Sequence, residues 1–292
     1  MIGAGRGLGW AVAFVLAVTA ACGTSAPPAP APQAPAPPAS SPAEPPASPS
    51  ETEPPPTGQV EAPAGFVPLR DVAPSIVEDI RYATPHNFVG DPVRGYDEPM
   101  CVVTRPLADA LHAAQQQLET RGYSLKVYDC YRPQRAVDHF VEWAKNVDDQ
   151  RMKAEFYPGL EKSRLFADGY IAENSGHSRG SSVDLTLVRL PVPPQRPYVP
   201  GEPLSPCTAP AGERFPDNSV DMGTGYDCFD DLSHTDDPRV TGAAEANRNL
   251  LRDVLTSVGL ENYANEWWHY NLASEPFPDQ YFDFPVNSAA FR

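Results

Sequence analysis

Basic residues are scarce in this sequence. The 292 residues include 22 Lys and Arg against 38 Asp and Glu, which gives a formal net charge of −16 at pH 7. Proteins that bind nucleic acids need clustered Lys and Arg side chains to displace counterions from the phosphates. The composition therefore argues against a nucleic-acid partner, and no segment suggests a nucleotide cofactor. Acidity identifies no other partner, because it is also a common route to solubility.

Long apolar runs are also absent. The run near the N-terminus begins at Leu8 and ends at Ala21, which is too short for a comfortable transmembrane helix. A lone positive charge, Arg6, precedes this run, and small residues end it. This arrangement is typical of an export signal, and we predict a signal peptide at residues 1–21.

The end of this signal resembles a bacterial lipobox. Residues 18–22 are Val-Thr-Ala-Ala-Cys, and in a lipobox the cysteine is lipidated and becomes the mature N-terminus. We therefore expect lipidation of Cys22 and a lipoprotein exported to the outer face of the bacterial cell membrane, which it contacts through this lipid alone. Ordinary cleavage with secretion and an uncleaved anchor are the alternatives.

Residues 22–63 contain few side chains that could form a core. They hold 15 of the 36 prolines, interleaved with Ala, Ser and Glu. Such a segment cannot offset its ordering entropy by burial and favours extended polyproline II conformations. We predict a disordered tether at 22–63, followed by a single folded domain at 64–292, a length that suits one domain.

Closely spaced cysteine pairs are missing as well. No CxxC motif is present, which argues against a cysteine-rich metal site. Four cysteines remain when Cys22 is set aside, and an oxidising compartment would allow two disulfides with three possible pairings. We favour Cys101–Cys130 and Cys207–Cys228, because each pair closes a short local loop.

The folded part combines helix and strand patterns without regular βαβ alternation or internal repeats, so we predict an α+β fold. Apolar periodicity and terminal Pro and Gly residues predict three main helices, within 104–122, 133–144 and 241–259. Alternating apolar residues predict two strands, at 124–129 and 182–188. Repeated prolines predict loops over 189–235.

Two short segments concentrate residues that can bind metals or move protons. Residues 175–184 are Ser-Gly-His-Ser-Arg-Gly-Ser-Ser-Val-Asp, and residues 266–270 are Glu-Trp-Trp-His-Tyr. Together they supply two imidazoles and one ligating carboxylate, the ligand number of a catalytic zinc site that leaves a position for water. A further Glu, three residues before the second His, could accept a proton from that water.

The same residues have ordinary interpretations. A single His is more often structural or exposed than a ligand. Asp184 and Glu266 could form salt bridges, and the pair Trp267 and Trp268 could simply belong to the core. Spacing within the two segments leaves both interpretations open.

Several motifs, taken in order, resemble one family. Segment 175–184 is similar to the SxHxxGxAxD signature of zinc D,D-peptidases related to D-Ala-D-Ala carboxypeptidases, with Ser182 in place of the usual Ala. Combined with 266–269, it resembles the D-alanyl-D-alanine dipeptidases of the vancomycin-resistance type. The similarity covers residues 66 to 272 and includes stretches at 80–84, 87–88, 129–133, 221–224, 227 and 229–230.

The resemblance implies a small mixed or antiparallel sheet that carries the site, with flanking helices and one Zn²⁺ per chain. It implies that His177, Asp184 and His269 are the zinc ligands. By the same resemblance Glu266 is the general base, and Arg132 stabilises the tetrahedral oxyanion.

The resemblance also implies a substrate, D-Ala-D-Ala or a related wall-derived peptide. Tyr82 and Asp227 would receive its free amine, and Ser175 would lie near its carboxylate. Amine recognition favours a closed dipeptidase pocket over the open cleft of a D,D- or L,D-carboxypeptidase, which is the nearest alternative. A non-catalytic lipoprotein that binds wall peptides is a third possibility, against which the presence of Glu266 argues. Export favours recycling of wall fragments over resistance.

Three features depart from the family pattern. Gly176 stands where a Ser is frequent, so one hydroxyl contact to the substrate is expected to be missing. Cys130 replaces a small residue beside Tyr131-Arg132-Pro133, consistent with a disulfide that supports this loop. An insertion around 207–228 is longer than expected.

Overall fold

The computed structural model describes residues 61–292, all of which belong to one unit. The predicted signal peptide, the predicted lipidation site Cys22 and nearly all of the predicted tether lie outside the described residues. Among residues 61–292, no helix is both long enough and apolar enough to cross a membrane.

The described residues form four α-helices and seven strands. The helices are α1 (Arg105–Glu119), α2 (Gln134–Lys145), α3 (Lys153–Phe156) and α4 (Gly242–Ser257). The strands are β1 (Phe66–Pro68), β2 (Val77–Glu78), β3 (Val102–Thr104), β4 (Tyr123–Asp129), β5 (Ser182–Arg189), β6 (Leu260–Asn262) and β7 (His269–Leu272). The predicted helices correspond to α1, α2 and α4, and the predicted strands to β4 and β5.

A five-stranded sheet in the order β2-β4-β5-β7-β6 forms the centre of the domain. The β2–β4 pair is parallel and the other three pairs are antiparallel, while β1 and β3 form a separate antiparallel pair. The prediction of an α+β fold with a small mixed sheet is therefore confirmed.

Helix α1 shows how the sequence builds this core. Pro106 occupies its first turn, where the missing N–H costs no hydrogen bond. Leu107, Leu111 and Leu118 recur at helical spacing and are completely buried. This apolar face packs against β4 and α4, and burial of each leucine contributes about 1.5–3 kcal/mol relative to exposure.

The central strands bring distant residues together. Asp184 on β5 lies opposite His269 on β7 in one register pair and opposite Asp129 on β4 in another. The two ends of the described chain also meet, since the Ala62 N–H donates to the Ala290 carbonyl at 2.9 Å.

Two disulfides are present, Cys101–Cys130 and Cys207–Cys228. They are the two local pairs favoured from the sequence. The first joins the residue before β3 to the loop after β4, and the second crosses the loop-rich segment between β5 and α4.

Candidate metal centre and active site

Three side chains converge at one end of the β5–β7 pair. His177 lies on a short 3-10 helix (Gly176–Arg179), Asp184 on β5 and His269 on β7. His177 Nε2 is 3.1 Å from His269 Nδ1 and 3.3 Å from Asp184 Oδ1, and His269 Nδ1 is 3.0 Å from the same oxygen. This group has the geometry to hold a metal ion.

The outer hydrogen bonds decide which atoms face the centre of this group. His177 Nδ1 donates to the Cys130 carbonyl at 2.7 Å, and His269 Nε2 donates to Asn271 Oδ1 at 3.1 Å. In the neutral tautomers that these outer hydrogen bonds favour, the inner nitrogens of His177 and His269 present their lone pairs to the Asp184 oxygen. A bound cation would satisfy all three acceptors at once, and an N/N/O set with one open position suits catalytic zinc.

Asp184 is oriented from its other side. Its Oδ2 accepts a hydrogen bond from the Tyr226 hydroxyl at 3.0 Å, which leaves Oδ1 for the imidazoles. Burial alone would raise the pKa of Asp184, but the neighbouring His177 and His269 hold this pKa well below its ordinary value. The carboxylate is therefore ionised at neutral pH, as a metal ligand must be.

Glu266 lies just outside the three-residue group. Its Oε2 is 3.9 Å from His269 Nδ1, and its side chain is 25% exposed. Burial raises the pKa of Glu266 to about 7, against the opposing effect of His269. A carboxyl group with such a pKa can exchange a proton near neutral pH.

Arg132 faces the same centre and is held firmly. Its Nε and Nη2 donate to Asp129 Oδ2 at 2.9 and 2.8 Å, and Nη2 is 3.7 Å from Asp184 Oδ2. Asp129 is completely buried and accepts a further hydrogen bond from Tyr96. Burial alone would lower the pKa of Arg132, but Asp129 raises this pKa overall, so the guanidinium stays charged.

A second acidic group lies at another part of the site. The Tyr82 hydroxyl donates to Asp227 Oδ2 at 2.8 Å, and the Tyr226 hydroxyl is 3.5 Å from that of Tyr82. Burial, together with the charge of Asp184, raises the pKa of Asp227 well above its ordinary value. Asp227 also has a φ of +54°, a left-handed conformation that non-glycine residues adopt mainly at turns and functional sites.

One cavity of about 380 Å³ contains all the predicted catalytic, metal and substrate residues. Its lining includes Tyr82, Arg132, Ser175, His177, Asp184, Asp227, Glu266 and His269. Ser175 is connected to Arg132, whose Nη1 lies 3.4 Å from the Ser175 hydroxyl. The fold therefore brings together residues that are up to 187 positions apart, from Tyr82 to His269.

The sequence reasoning assigned no role to three residues that shape this site. Asp129 holds Arg132, Tyr226 orients Asp184, and Asn271 fixes the imidazole of His269. Asn271 could have been found, because residues two apart on a strand share a face. The role of Tyr226 depends on loop geometry that no local pattern reveals.

Comparisons with known proteins agree with this geometry. A family model described as "Peptidase_M15: D-ala-D-ala dipeptidase" matches residues 62–192 and 216–287. The match leaves residues 193–215 as an insertion, which begins earlier than the segment around 207–228 expected from the sequence.

Three similar proteins are named D-alanyl-D-alanine dipeptidase. One from Streptomyces coelicolor is 43% identical over 208 residues, 71% of this chain and 91% of the relative. One from Enterococcus faecium is 37% identical over 222 residues, and one from Enterococcus faecalis is 38% identical over 223 residues; each alignment covers 76% of this chain and 98% of the relative.

The family recognised from the sequence motifs is thus confirmed by matches over most of the described domain. The cofactor of this family is zinc, and the lone pairs of His177, Asp184 and His269 provide a fitting donor set. The protein therefore belongs to the D-Ala-D-Ala dipeptidase family of zinc metallopeptidases.

Proposed function

We propose that this protein is an exported zinc dipeptidase that hydrolyses D-Ala-D-Ala outside the cytoplasmic membrane. The observation that carries the catalytic part is one cavity lined by a His/Asp/His group that could hold a metal, by a carboxyl of raised pKa and by a guanidinium that is only 13% exposed. A binding module without catalysis has no need of this combination.

The zinc ligands are His177, Asp184 and His269. Bound there, zinc supplies Lewis-acid polarisation of the scissile carbonyl and makes water more acidic. The Cys130 carbonyl and Asn271 orient the two imidazoles from outside, which such ligands generally require for high metal affinity.

Glu266 is the general base. Its Oε2 is 3.9 Å from His269 Nδ1, farther than the 3.0 to 3.3 Å between the three ligand atoms. From there it would serve as a base for a water bound beside the ligands rather than as a fourth ligand. A nearby divalent cation lowers a carboxyl pKa, and so favours the ionised form that a base needs. After accepting the proton, Glu266 can deliver it to the leaving amine.

Arg132 stabilises the oxyanion that forms on the scissile carbonyl. Its guanidinium is fixed by Asp129 before substrate binds, so little reorganisation is needed when negative charge develops. We assign the substrate carboxylate to Ser175, whose hydroxyl lies 3.4 Å from Arg132 Nη1.

Asp227 and Tyr82 receive the free amine of the substrate. Burial and the charge of Asp184 raise the pKa of Asp227, because Tyr82 and Arg132 compensate its negative charge only in part. A substrate ammonium would supply that compensation and favour the carboxylate. Tyr82 holds the carboxyl group in position through its 2.8 Å hydrogen bond.

Substrate length tests this proposal against carboxypeptidase activity. Acetylation of the amine removes the charge that Asp227 would bind and leaves this buried carboxyl group without its ionic partner, at a cost of about 1–3 kcal/mol before any steric clash. We expect kcat/KM for N-acetyl-D-Ala-D-Ala and for pentapeptide stems to be about 100-fold lower than for the free dipeptide.

The measurement compares these substrates by amine release, with and without exhaustive chelation. Asp227→Ala is the matched control and should narrow the gap between free and acetylated dipeptide. Equal efficiency on both substrates would instead assign a D,D-carboxypeptidase, and activity that survives chelation would exclude a metallopeptidase.

Export and lipid attachment rest on the sequence of the first 22 residues, the proline-rich segment that follows, and two disulfides that suit an oxidising compartment. A location at the outer face of the membrane favours recycling of wall-derived peptides. Metabolic labelling with a fatty acid should mark the wild-type protein and leave Cys22→Ala unlabelled. Labelling of both proteins, or of neither, would exclude lipidation at Cys22.

A further inference from the structure

Each of the two disulfides ends beside a different residue of the proposed reaction site. Cys130 lies between Asp129 and Arg132, whereas Cys228 directly follows Asp227. Both cysteines are 1% exposed. One disulfide therefore supports the loop beside the metal, and the other supports the turn that carries the proposed amine receptor.

The Cys101–Cys130 disulfide fixes the surroundings of His177. The Cys130 carbonyl accepts from His177 Nδ1 at 2.7 Å, and the Arg132 N–H donates to the His177 carbonyl at 3.2 Å. Cys101, the disulfide partner of Cys130, is held by a different contact: its carbonyl accepts a hydrogen bond from the Leu69 N–H at 2.8 Å. The covalent bond thus connects the loop that holds His177 to a separate and buried part of the domain.

The Cys207–Cys228 disulfide acts on a different loop. Cys207 belongs to the insertion 193–215, and its N–H donates to the Glu155 carbonyl at 2.8 Å. On the other side, Cys228 follows the left-handed Asp227, and its carbonyl accepts from the Ser233 hydroxyl at 2.7 Å. An uncommon backbone conformation persists only where the surroundings constrain it, and this disulfide supplies one such constraint.

We propose that the two disulfides are separate positioning devices for this site. Cys101–Cys130 fixes the carbonyl that orients His177 towards zinc, and Cys207–Cys228 fixes the turn that presents Asp227 to the substrate amine. The second assignment rests on the proposed function, whereas the first concerns metal affinity alone.

Two double variants of the full-length chain test the proposal and serve as controls for each other. They are Cys101→Ala with Cys130→Val, and Cys207→Ala with Cys228→Val. The sequence separations of 29 and 21 residues are similar, so the general loss of stability should be similar too. A difference in zinc affinity or KM between the two variants therefore reflects where the disulfide lies and not a general loss of stability.

Zinc affinity, measured by competition with a chelating dye, is the first readout. We expect the dissociation constant to rise about tenfold or more in the first variant, the usual effect of disturbing the outer partner of a ligand. The second variant should keep the wild-type affinity. Equal zinc affinity in both variants would overturn the assignment of Cys101–Cys130.

The Michaelis constant at saturating zinc is the second readout. For D-Ala-D-Ala we expect it to rise about tenfold in the second variant, because Asp227 leaves its constrained conformation. The same disulfide removal should have no effect on KM in an Asp227→Ala background. If removal of Cys207–Cys228 raised KM just as much in the Asp227→Ala background, the assignment of this disulfide would be overturned, because its effect would not depend on Asp227.

Circular dichroism before each assay verifies that the variants are folded, and paired Ser substitutions repeat the comparison if a Val side chain fits poorly. If the wild-type enzyme fails to cleave D-Ala-D-Ala, the proposed function fails and so does the KM assignment. The zinc affinities still decide the role of Cys101–Cys130 in that case.

Discussion

Gly176 and Ser182, two residues that depart from the family signature, lie against each other. A Cβ atom added at Gly176 would be 2.8 Å from Ser182 Oγ and 3.4 Å from Asn271 Oδ1. Ser182 Oγ donates to that same Asn271 oxygen at 2.6 Å, and Asn271 in turn accepts from His269. The Ser182 hydroxyl therefore occupies space that a side chain at position 176 would need, and through Asn271 it supports His269, a proposed zinc ligand.

Gly176→Ala should consequently be costly only while Ser182 is present. Overpacking of this kind destabilises by about 1–3 kcal/mol. In a Ser182→Ala background the added methyl group gains room, and we expect a coupling energy of about 1 kcal/mol or more. Urea unfolding of the wild type, both single variants and the double variant measures this coupling. Strictly additive effects would show that the two positions do not compete for space.

Glu266→Gln separates proton transfer from metal binding. The amide keeps the size of the side chain but cannot accept the proton of water, so kcat should fall by a factor of about 10² to 10⁴. Zinc content should stay at that of the wild type, whereas His269→Ala should lose zinc. Metal analysis and the measurement of kcat together test both effects. If Glu266→Gln lost zinc while His269→Ala kept it, Glu266 would be the ligand and His269 would not.

At the scale of elements, a buried charge cluster joins the segment after the insertion to the sheet. Asp217 forms ion pairs with Arg81 and with Lys126 of β4, the latter at 2.9 Å. Asp79, just after β2, pairs with the same two cations at 3.0 and 2.9 Å. Burial raises the pKa of both carboxyls, but the pairing with Arg81 and Lys126 outweighs it and lowers both pKa values overall.

This cluster should make the domain sensitive to acid. A carboxyl whose pKa is lower in the folded state stabilises the fold above its unfolded pKa of about 3.9, and this contribution is lost as pH falls towards the folded value. Asp217→Asn should destabilise by about 3–5 kcal/mol at pH 7, because it leaves buried cations under-compensated. Measured by urea unfolding, the free energy of unfolding should fall less between pH 7 and pH 3 in this variant than in the wild type. If the free energy of unfolding fell as much in the variant as in the wild type over this pH range, other groups would be responsible for the acid sensitivity.

The same scale shows what the sequence could predict. Helices α1 and α4 and strands β4 and β5 follow from local periodicity, since the apolar residues of each occupy one face. Short elements such as β2 and β7 hold two and four residues, too few for any period to be recognised. Their positions depend on pairing with strands distant in the sequence, which a local pattern does not contain.

At the scale of the site, the residues selected by the motif resemblance all line one cavity. The partners that orient them were harder to predict. Asp129 accepts hydrogen bonds from Arg132 and Tyr96 and lies opposite Asp184 in the sheet. These contacts exist only in the folded structure. Chemistry-bearing residues can be predicted from type and order, but their supports depend on packing geometry.

At the scale of the whole molecule, the insertion 193–215 packs over the buried imidazole of His86. Tyr198 stacks on the buried His86 with ring centroids 4.4 Å apart, and Phe215 contacts the same imidazole at 4.1 Å. Beyond these rings the insertion is exposed at Val199. It therefore adds a covalently attached outer layer without entering the sheet.

The hydrogen bond between Ala62 and Ala290 has a topological consequence. Because the two ends of the folded chain lie side by side, a short Gly-Ser linker can join them, and new ends can be opened in the exposed loop near Gly201. We expect such a circular permutant to fold and to bind zinc as the wild-type protein does. The midpoint of urea unfolding and competition with a chelating dye measure the two properties. An unfolded permutant would show that folding depends on the order of the elements along the chain. A tether attached at the new end would hold the enzyme by another point of its surface, so the orientation of the cavity towards its surroundings becomes a property that can be altered separately from its chemistry.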